Sequence, residues 1–482
     1  MSNRPETNKQ SCPVYKKCGG CQLQNLSYPE QLEFKQRKVE KLLKRFCTVE
    51  KIIGMKTPYH YRNKVQAAFY TDKKGKIISG VYQSGSHHVV GIDSCQTEDV
   101  IADKIIVAVR KLLPSFRMTT YNEDTGKGFL RHILVKRGFA TNQIMLVLVT
   151  GTPVFPSKNN FVKAILKQFP EITTIVQNIN PYRTNLVLGD NQKVLYGKGY
   201  IEDILCGCRF RISPKSFYQI NPVQTEVLYG KAIEFANLKG NETVLDTYCG
   251  IGTIGIIAAK NGAGNVIGAE LNGDAVRDAI VNARANNLKN IRFYKADAGE
   301  FMREVADEDE KPDVVFMDPP RAGSDRKFLD SLIKMSPKKV VYVSCNPETL
   351  ARDLAYLTQN SPYKAQKIQP VDMFPHTAHI ETVVQLVRKK PDTYIDITVD
   401  MDELDLTSSE AKATYDEIKD YIFDKHRVKA SSLYVAQVKQ KHGIIERDCY
   451  NNSKKDNPKQ PQCPPEKVKL IEEALRHFNM IP

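Results

Sequence analysis

Cys345 ends an apolar run rich in β-branched residues, Val341-Tyr-Val-Ser-Cys-Asn-Pro347, which predicts a buried strand that stops at a proline. In an open α/β sheet, ligands bind at the carboxyl ends of such strands. Cysteine has an appreciable thiolate fraction at neutral pH, so this thiol is a candidate nucleophile. Free cysteines are more often buried and inert, so the assignment depends on the surrounding residues.

A second group of cysteines has the spacing of ligands. Cys12, Cys18 and Cys21 form C-x5-C-x2-C in a polar, glycine-rich stretch, and Cys95 follows a predicted strand as a possible fourth member. Four cysteines can bind zinc or an iron–sulfur cluster, and the spacing alone leaves the metal open. Because eleven cysteines in a reducing compartment favour metal or catalytic use over disulfides, we expect a metal site here.

A glycine loop follows the predicted strand at Thr243–Asp246. It contains GxGxxG at Gly250, Gly252 and Gly255, which is formally a dinucleotide-binding pattern. Acidic residues end four successive predicted strands: Asp246, Glu270, Asp297 and Asp318. A carboxylate before the glycines would repel a pyrophosphate but suits the positively charged S-adenosylmethionine. Each acid alone could be a helix cap, but the four together favour S-adenosylmethionine, with an NAD- or flavin-dependent enzyme as the alternative.

The elements that must position these residues divide the chain into five pieces. Strands alternating with helices predict an α/β fold, a Rossmann-like class I methyltransferase domain with a β-rich domain before it. The predicted pieces are 1–50 (cysteine motif and helix), 51–205 (β-rich, RNA-facing, supplying Cys95), 206–390 (methyltransferase), 391–405 (linker) and 406–482 (helical extension).

Composition points to a polyanionic partner. The formal net charge is +15, and Lys and Arg that neutralise phosphates supply most sequence-independent affinity for nucleic acid. The start of the chain lacks the apolar segment of a secretory signal, and no apolar run approaches the ~20 residues that span a bilayer. We therefore expect a cytoplasmic protein, monomeric and without a membrane partner.

Taken together, these patterns resemble the bacterial RNA (uracil-5-)-methyltransferase family, and in particular its iron–sulfur-bearing branch that acts on 23S ribosomal RNA. The resemblance covers roughly residues 12–390. The matching stretches are Cys12 to Cys21, Tyr61-Arg-Asn-Lys64, Ser216-Phe-Tyr-Gln-Ile-Asn221, Leu245-Asp-Thr-Tyr-Cys-Gly250, Asp318-Pro-Pro-Arg-Ala-Gly323, Ser344-Cys-Asn-Pro347 and His379-Ile-Glu-Thr382.

The resemblance assigns roles to individual residues. It implies that Cys345 is the nucleophile that adds to uracil C6, that Glu381 removes the C5 proton, and that the four cysteines hold a [4Fe–4S] cluster. The methyl-donor contacts that it implies are Gln219, Asp246, Tyr248, Gly250, Thr253, Glu270, Asp297 and Asp318. The candidate RNA contacts are Arg62, Lys64, Arg131 and Arg321. His376 and His379 are rival bases by chemical type.

The RNA target stays open within this resemblance. Ribosomal RNA with an unpaired uridine is the first expectation, because extruding a base is cheapest in a loop. A 5-methyluridine methyltransferase of tRNA is one alternative. A 5-methylcytosine enzyme is another, although Arg321 occupies the position where that class has a cysteine. A non-catalytic RNA-binding assembly factor is the most distant alternative.

Two features depart from the family pattern. Many members carry an RNA-binding barrel before the cysteine motif, and eleven residues leave no room for one. The extension after residue 400 is additional, with capping-box spacing at Thr407–Glu410, and further helices are expected near 433–441 and 464–478. Ser431–Gly443 loosely resembles part of a helix-turn-helix, so the extension is either an RNA-binding module or a packing appendage.

Overall fold

The computed structural model describes residues 12–389 apart from 84, 85, 87, 185 and 308–310, and residues 413, 415–442, 444, 463–478, 480 and 481. The chain divides into two compact units, residues 1–392 and 393–482. The predicted linker and the capping box at Thr407–Glu410 lie outside the described residues. The internal boundaries predicted within the first unit stay predictions.

The helices are α1 (Tyr15–Cys18), α2 (Tyr28–Leu43), α3 (Val100–Leu112), α4 (Lys158–Gln168), α5 (Pro222–Ala236), α6 (Thr253–Lys260), α7 (Gly273–Ala285), α8 (Ala298–Asp307), α9 (Arg326–Met335), α10 (Pro347–Asn360), α11 (Tyr415–His426), α12 (Ser432–Lys441) and α13 (Pro465–His477). The strands are β1 (Lys64–Thr71), β2 (Ile77–Tyr82), β3 (Val89–Gly91), β4 (Leu130–Arg137), β5 (Ile144–Thr150), β6 (Ile172–Ile179), β7 (Asn191–Tyr196), β8 (Ile201–Leu205), β9 (Cys208–Ile212), β10 (Thr243–Asp246), β11 (Asn265–Glu270), β12 (Ile291–Lys295), β13 (Val314–Met317), β14 (Lys339–Ser344), β15 (Tyr363–Val371) and β16 (Glu381–Arg388).

The second half of the first unit is a doubly wound α/β sheet, which confirms the predicted Rossmann-like fold. Its strand order is β12-β11-β10-β13-β14-β16-β15, parallel from β12 to β14, with β16 antiparallel to both of its neighbours. The central strands are buried on both faces, as their unbroken apolar runs predict. The chain turns from one side of β10 to the other between β12 and β13, so ligands are expected at the carboxyl ends of β10 and β13.

A second, mostly antiparallel sheet lies earlier in the chain, in the order β3-β2-β1-β4-β5-β6-β7. Only β5 and β6 pair in parallel among its strands. Helices α3 and α4 cover it through one apolar cluster. The hairpin β8–β9 packs into the same core as β5, β6, α5 and α6, and so joins this sheet to the methyltransferase sheet.

The N-terminal helix α2 packs against the methyltransferase sheet. A capping box between Ser27 and Glu30 starts it, and its buried residues Val39 and Leu43 join the apolar cluster that includes β15 and α10. The segment after the helix pairs with β15 through bridges from Val49 to Ile368 and from Ile53 to Val371. The cysteine motif therefore precedes a helix fixed to the sheet that carries Cys345.

In the second unit, α11, α12 and α13 share a small core of Ile418, Ile422, Val435, Val438 and Ile471. The helices expected near 433–441 and 464–478 agree with α12 and α13. Two basic side chains of this unit form ion pairs within it, Lys425 with Glu473 and Lys441 with Glu472. RNA binding by this unit stays a prediction. None of the described helices combines the length and apolar composition needed to cross a membrane.

Candidate active site

Strand register places Cys345 opposite Glu381. Ser344, the last residue of β14, pairs with Thr382, so Cys345 and Glu381 both lie at the edge of the sheet where the parallel strands end. Asp318 follows β13, the other neighbour of β14, at the same edge. The structure thus brings the predicted nucleophile, the predicted base and a second carboxylate together.

The charges of these three groups are coupled. Burial, Glu381 and Asp318 together raise the pKa of the Cys345 thiol to about 11, against the opposing charge of Arg321. Burial and Asp318 hold the pKa of Glu381 well above its usual range, and burial raises that of Asp318 to about 7. The thiol is therefore protonated at neutral pH in the protein alone, and its ionisation is favoured by a base or by a positive charge brought by a ligand.

Arg321 places a positive charge at the edge of the sheet that carries Cys345 and Glu381. Its guanidinium Nη2 lies 2.9 Å from both ring nitrogens of His379, and it is exposed to the site. Its main-chain oxygen accepts hydrogen bonds from the side chains of Asn346 and Thr349, which begin α10 just after Cys345. Arg321 is thus placed to contact a bound polyanion while it favours the ionised forms of Cys345 and Glu381.

The two histidines differ in what they can do. His376 is buried, with Nδ1 3.2 Å from the Gln31 amide and Nε2 2.9 Å from the Pro58 carbonyl, so both ring nitrogens face protein partners. His379 is half-buried, and burial and Arg321 lower its pKa. Their expected rank below Glu381 as bases stays a prediction, and His376 has the geometry of a structural residue.

The glycine loop between β10 and α6 forms the other half of the edge. Gly250 and Gly252 have φ of +55° and +83°, and a Cβ at Gly252 would lie 2.7 Å from the Phe293 ring. Gly255 N–H donates to Asp246 Oδ2 at 2.8 Å, and Gly250 N–H donates to Glu270 Oε2 at 3.1 Å. Burial raises the pKa of Asp246 to about 7.

A cavity of about 450 Å³ opens beside this loop and is lined in part by Gly250, Glu270 and Asn272. Nothing lies within 4 Å of the position of a Cβ on Gly250, so the backbone is open to a ligand there. Glu270 is oriented by the Gly250 and Asn272 amides and retains lone pairs for a hydroxyl donor. Of the predicted donor contacts, Gly250 and Glu270 line this cavity, and a ribose hydroxyl is a group that Glu270 can bind there.

The remaining predicted donor contacts lie around this loop. Asp297 is exposed and accepts from the Gly299 and Glu300 amides, so it caps α8, whatever else it contacts. The ring of Tyr248 packs 5.5 Å from that of Phe328, and burial raises the pKa of Tyr248 to about 12.

Tyr229 is a site residue that sequence reasoning missed. It is fully buried on α5, and its hydroxyl interacts with both Thr253 and Gln219, two predicted donor contacts. Burial is the largest cause that raises the pKa of Tyr229, and the charge of Asp318 is the next. Because its neighbours include both Thr253 and Asp318, Tyr229 lies between the glycine loop and the edge that carries Cys345. Its position on the apolar face of a helix gave only the pattern of a core residue.

The four motif cysteines are half-buried and close enough to influence one another. Burial, and after it the charges of Cys95, Cys18 and Cys12, raise the pKa of Cys21 to about 12, against the opposing charge of Arg62. The set thus has the donor chemistry of an all-thiolate site. Within the described part of the chain, however, no three His, Cys, Asp or Glu side chains are arranged to hold a metal ion.

The predicted RNA contacts fall into two groups. Arg321 is exposed at the site, whereas Arg62 and Lys64 are half-buried, with the Arg62 guanidinium 5.9 Å from the Tyr61 ring. Arg131 is only 2% exposed, and it pairs with Glu123 and donates to the carbonyls of Asn180 and Tyr182. The prediction for Arg131 is corrected, because its donors are used inside the protein, where they hold two loops together.

Comparison with known proteins gives consistent matches. A sequence model of the family described as tRNA (Uracil-5-)-methyltransferase matches residues 183–389. Relatives described as uncharacterised RNA methyltransferases include one from Bacillus cereus, 43% identical over 80% of this chain and 84% of its own length. Another, from Listeria monocytogenes, is 46% identical over 78% of this chain and 83% of its own length.

The chain is also similar to a solved structure of the tRNA (uracil-54, C5)-methyltransferase of Pyrococcus abyssi in complex with S-adenosyl-L-homocysteine. The TM-score is 0.65 at 31% sequence identity, covering 79% of this chain and 88% of that one. The likeness extends well beyond the residues matched by the family model, because it spans most of both chains.

Proposed function

The chain belongs to the RNA (uracil-5-)-methyltransferase family, and from this premise we propose that it forms 5-methyluridine in RNA through a covalent Cys345–uracil intermediate. It is an S-adenosylmethionine-dependent RNA methyltransferase, so the NAD, flavin and non-catalytic alternatives are wrong. The observation that carries the covalent mechanism is the register that sets Cys345 across from Glu381 beside Asp318.

The proposed steps follow from what uracil C5 needs. The Cys345 sulfur adds to C6, which moves electron density to C5, and C5 then takes the methyl group. Glu381 accepts the C5 proton, the electron pair of that C–H bond re-forms the C5–C6 double bond, and the C6–S bond breaks with its pair returning to sulfur. The raised pKa of Glu381 suits a carboxylate that must accept a proton.

S-adenosylmethionine supplies the methyl group. We propose that Glu270 binds its ribose hydroxyls and that Asp246 and Asp318 face its positive charge, with Gln219, Tyr248, Gly250, Thr253 and Asp297 as further contacts. The carboxylates at the ends of β10 and β13 have raised pKa values that a nearby positive charge would lower. These residues would therefore bind the donor most strongly when they are ionised.

The proposed RNA target is an unpaired uridine in 23S ribosomal RNA. An extruded base needs a stacking surface, and Phe217 is 63% exposed in the segment just before Gln219. The likeness to the tRNA enzyme of Pyrococcus abyssi favours a second candidate, a uridine in tRNA. Mapping 5-methyluridine in both RNA classes from cells that lack the gene decides between them. Loss from tRNA alone would reject the ribosomal assignment.

The covalent step is tested with RNA that contains 5-fluorouridine, whose C5 fluorine cannot leave as a proton does. With methyl donor present, we expect a complex that resists denaturation for the wild type and no such complex for Cys345→Ala. Cys249→Ala is the matched control, since that thiol is buried in the glycine loop. Equal trapping by Cys345→Ala would reject the nucleophile.

We also propose that Cys12, Cys18, Cys21 and Cys95 hold a [4Fe–4S] cluster. The three thiols near Cys21 and the family resemblance support this proposal, whereas the described residues contain no group of three or more side chains arranged to hold a metal ion. Iron and labile sulfide in anaerobically purified protein decide the matter, with stoichiometric zinc as the contrary result. Because metal-binding energy is folding energy at such sites, alanine at any of the four should lower soluble yield more than Cys463→Ala.

A further inference from the structure

Glu381 begins β16, and the nine residues before it, Asp372–Ile380, form an irregular segment that we term the base loop. The loop also carries Phe374 and His379, whose rings pack 6.0 Å apart beside Arg321. The strands on both sides of the loop are fixed by the sheet: β15 pairs with β16 along its length, and β16 pairs with β14. The sheet does not, however, fix the path of the loop itself.

A buried ion pair anchors the start of the base loop. Lys35 Nζ on α2 lies 2.5 Å from Asp372 Oδ1, and both side chains are fully buried. The same amine donates to the Phe374 carbonyl at 3.0 Å, and the Tyr28 hydroxyl donates to the other Asp372 oxygen at 2.9 Å. One lysine thus fixes two points of the loop, two positions apart in sequence.

The middle of the loop is held by Gln31 at the start of α2 and by the stretch between the cysteine motif and α2. Gln31 Oε1 accepts the His376 amide at 2.9 Å, while its Nε2 lies 3.2 Å from the His376 ring. The Leu23 amide donates to the His376 carbonyl at 2.9 Å, and Gln22 Oε1 accepts the Ala378 amide at 3.2 Å. His376 has φ of +69°, so these bonds support a backbone conformation that a non-glycine residue rarely adopts.

All of these partners come from residues 22–35, more than 330 positions away in sequence from the loop that they hold. Cys345, in contrast, is positioned by β14 and by Asn346, which caps α10. The base loop is also held by Tyr61, Asn221 and Gln224, whose side chains donate to the carbonyls of Pro375, Met373 and Asp372. Cys345 and the base loop therefore have different supports, and part of the support of the loop lies in the N-terminal segment.

We propose that Lys35 and Gln31 are positioning residues that set the base loop, and through it Glu381, for removal of the C5 proton. The inference rests on the proposed role of Glu381 as the base. Its consequence is selective: loss of these contacts should slow the release of the methylated adduct without preventing its formation. Misplacing a reacting group by 1 Å can cost about 100-fold in rate.

The test compares Lys35→Met with Arg37→Met in the full-length protein. Arg37 lies on the same helix and forms an exposed ion pair with Glu33. Arg37→Met therefore removes the same charge as Lys35→Met without changing a contact to the base loop. For Lys35→Met we expect turnover at least ~10-fold slower, with more enzyme in a denaturation-resistant complex with ordinary RNA. Equilibrium affinities for donor and RNA should stay within about twofold of the Arg37→Met values, whereas the apparent KM for RNA should fall together with turnover, because the adduct accumulates.

Gln31→Ala and the double variant Lys35→Met/Asp372→Asn, which leaves no unpaired buried charge, keep the test decisive if Lys35→Met folds poorly. Turnover equal to that of Arg37→Met in these variants would overturn the proposal. So would slow turnover without accumulated adduct, because that is the result of a purely structural defect. Glu381→Gln in the same assay separates the role of the base from the role of its support. If Glu381→Gln accumulates no adduct, Glu381 is not the base. If Glu381→Gln accumulates adduct but the Lys35 and Gln31 variants do not, only the positioning role is rejected.

Discussion

The carboxyl edge of the methyltransferase sheet has two halves that are built differently. The donor half, with Asp246, Glu270 and Asp297, consists of carboxylates that each accept backbone N–H groups from the turn that follows them or from a neighbouring loop. In the base half, Cys345 and Glu381 lie beside Asp318; burial raises the pKa of all three groups, and neighbouring carboxylates also raise those of Cys345 and Glu381.

The difference shows how one edge can serve two tasks. Backbone amides fix carboxylates in orientation and favour their ionised forms, and a bound cation adds to that preference where burial opposes it, as at Asp246. In the base half, desolvation and neighbouring charge raise the pKa of an acid, so that a carboxylate such as Glu381 can accept and hold a proton, which suits proton transfer. We therefore expect changes in the donor half to affect affinity, and changes in the base half to affect rate.

The largest expected effect is that of Glu381→Gln, which removes the base but keeps the shape of the side chain. Turnover should fall by about 100- to 10,000-fold, the usual contribution of a positioned base. Donor affinity, measured by calorimetry, should be unchanged, and the methylated adduct should accumulate on ordinary RNA. Near-normal turnover by this variant would transfer the role to His379, which lies at the same edge.

In the donor half, Glu270→Ala should act on binding instead. Loss of hydrogen bonds to a charged group should weaken donor affinity by about 10- to 100-fold, while turnover at saturating donor stays within a few-fold of the wild type. Glu242→Ala is the matched control, because Glu242 also accepts backbone amides but precedes β10 at the opposite edge. A fall in saturated turnover for Glu270→Ala would erase the distinction between the halves.

The pH dependence of stability tests whether the pKa values of the base half are raised. Burial raises the pKa of Asp318 to about 7, so its contribution to stability is full below about pH 4, the unfolded value, and is lost as pH rises through 7. Asp318→Asn should therefore gain stability relative to wild type by about 1–2 kcal/mol between pH 5 and 8 in thermal unfolding, allowing for partial exposure.

Asp313→Asn provides a control of opposite sign. Desolvation acts to raise the pKa of Asp313, but hydrogen bonds from Lys338 and Thr243 lower it overall. Its carboxylate stabilises the fold above the unfolded pKa, so the asparagine variant should lose stability relative to wild type at pH 8. The absence of a gain for Asp318→Asn would contradict the assigned shift of Asp318, and a gain at pH 8 for Asp313→Asn as well would show that the change to asparagine, not the pKa of Asp318, causes the effect.

The donor half was predictable from the sequence because its contacts are local. Asp246 and Gly255 are nine positions apart, and Asp297 caps the helix that it precedes, so strand, loop and helix signals in one stretch define the geometry. The fold class followed for the same reason, from apolar strands that alternate with helices. Cys345 and Glu381 were predicted from family resemblance, and the strand register explains their proximity.

The supports of the base half were not predictable in this way. The partner of Lys35 is 337 positions away, and a lysine on a basic helix gives no signal that it is buried. Tyr229 looked like a core residue, and Arg131 looked like a phosphate contact until burial showed that Glu123 and two carbonyls use its donors. Long-range polar pairs leave no periodic pattern, and only the folded chain reveals them.

The smallest expected effect tests whether Asp297 belongs to the donor half or only caps α8. Asp297→Ala should lower the free energy of unfolding by about 1 kcal/mol through the lost cap. Asp72→Ala is the control, since Asp72 also accepts two backbone amides, those of Lys74 and Lys76, but lies in the β1–β2 turn. If Asp297 contacts the donor, its variant alone should also weaken donor binding, by a few-fold for one hydrogen bond. Equal stability loss with unchanged donor affinity in both variants would leave Asp297 as a cap and reduce the donor half to the β10–α6 loop and Glu270.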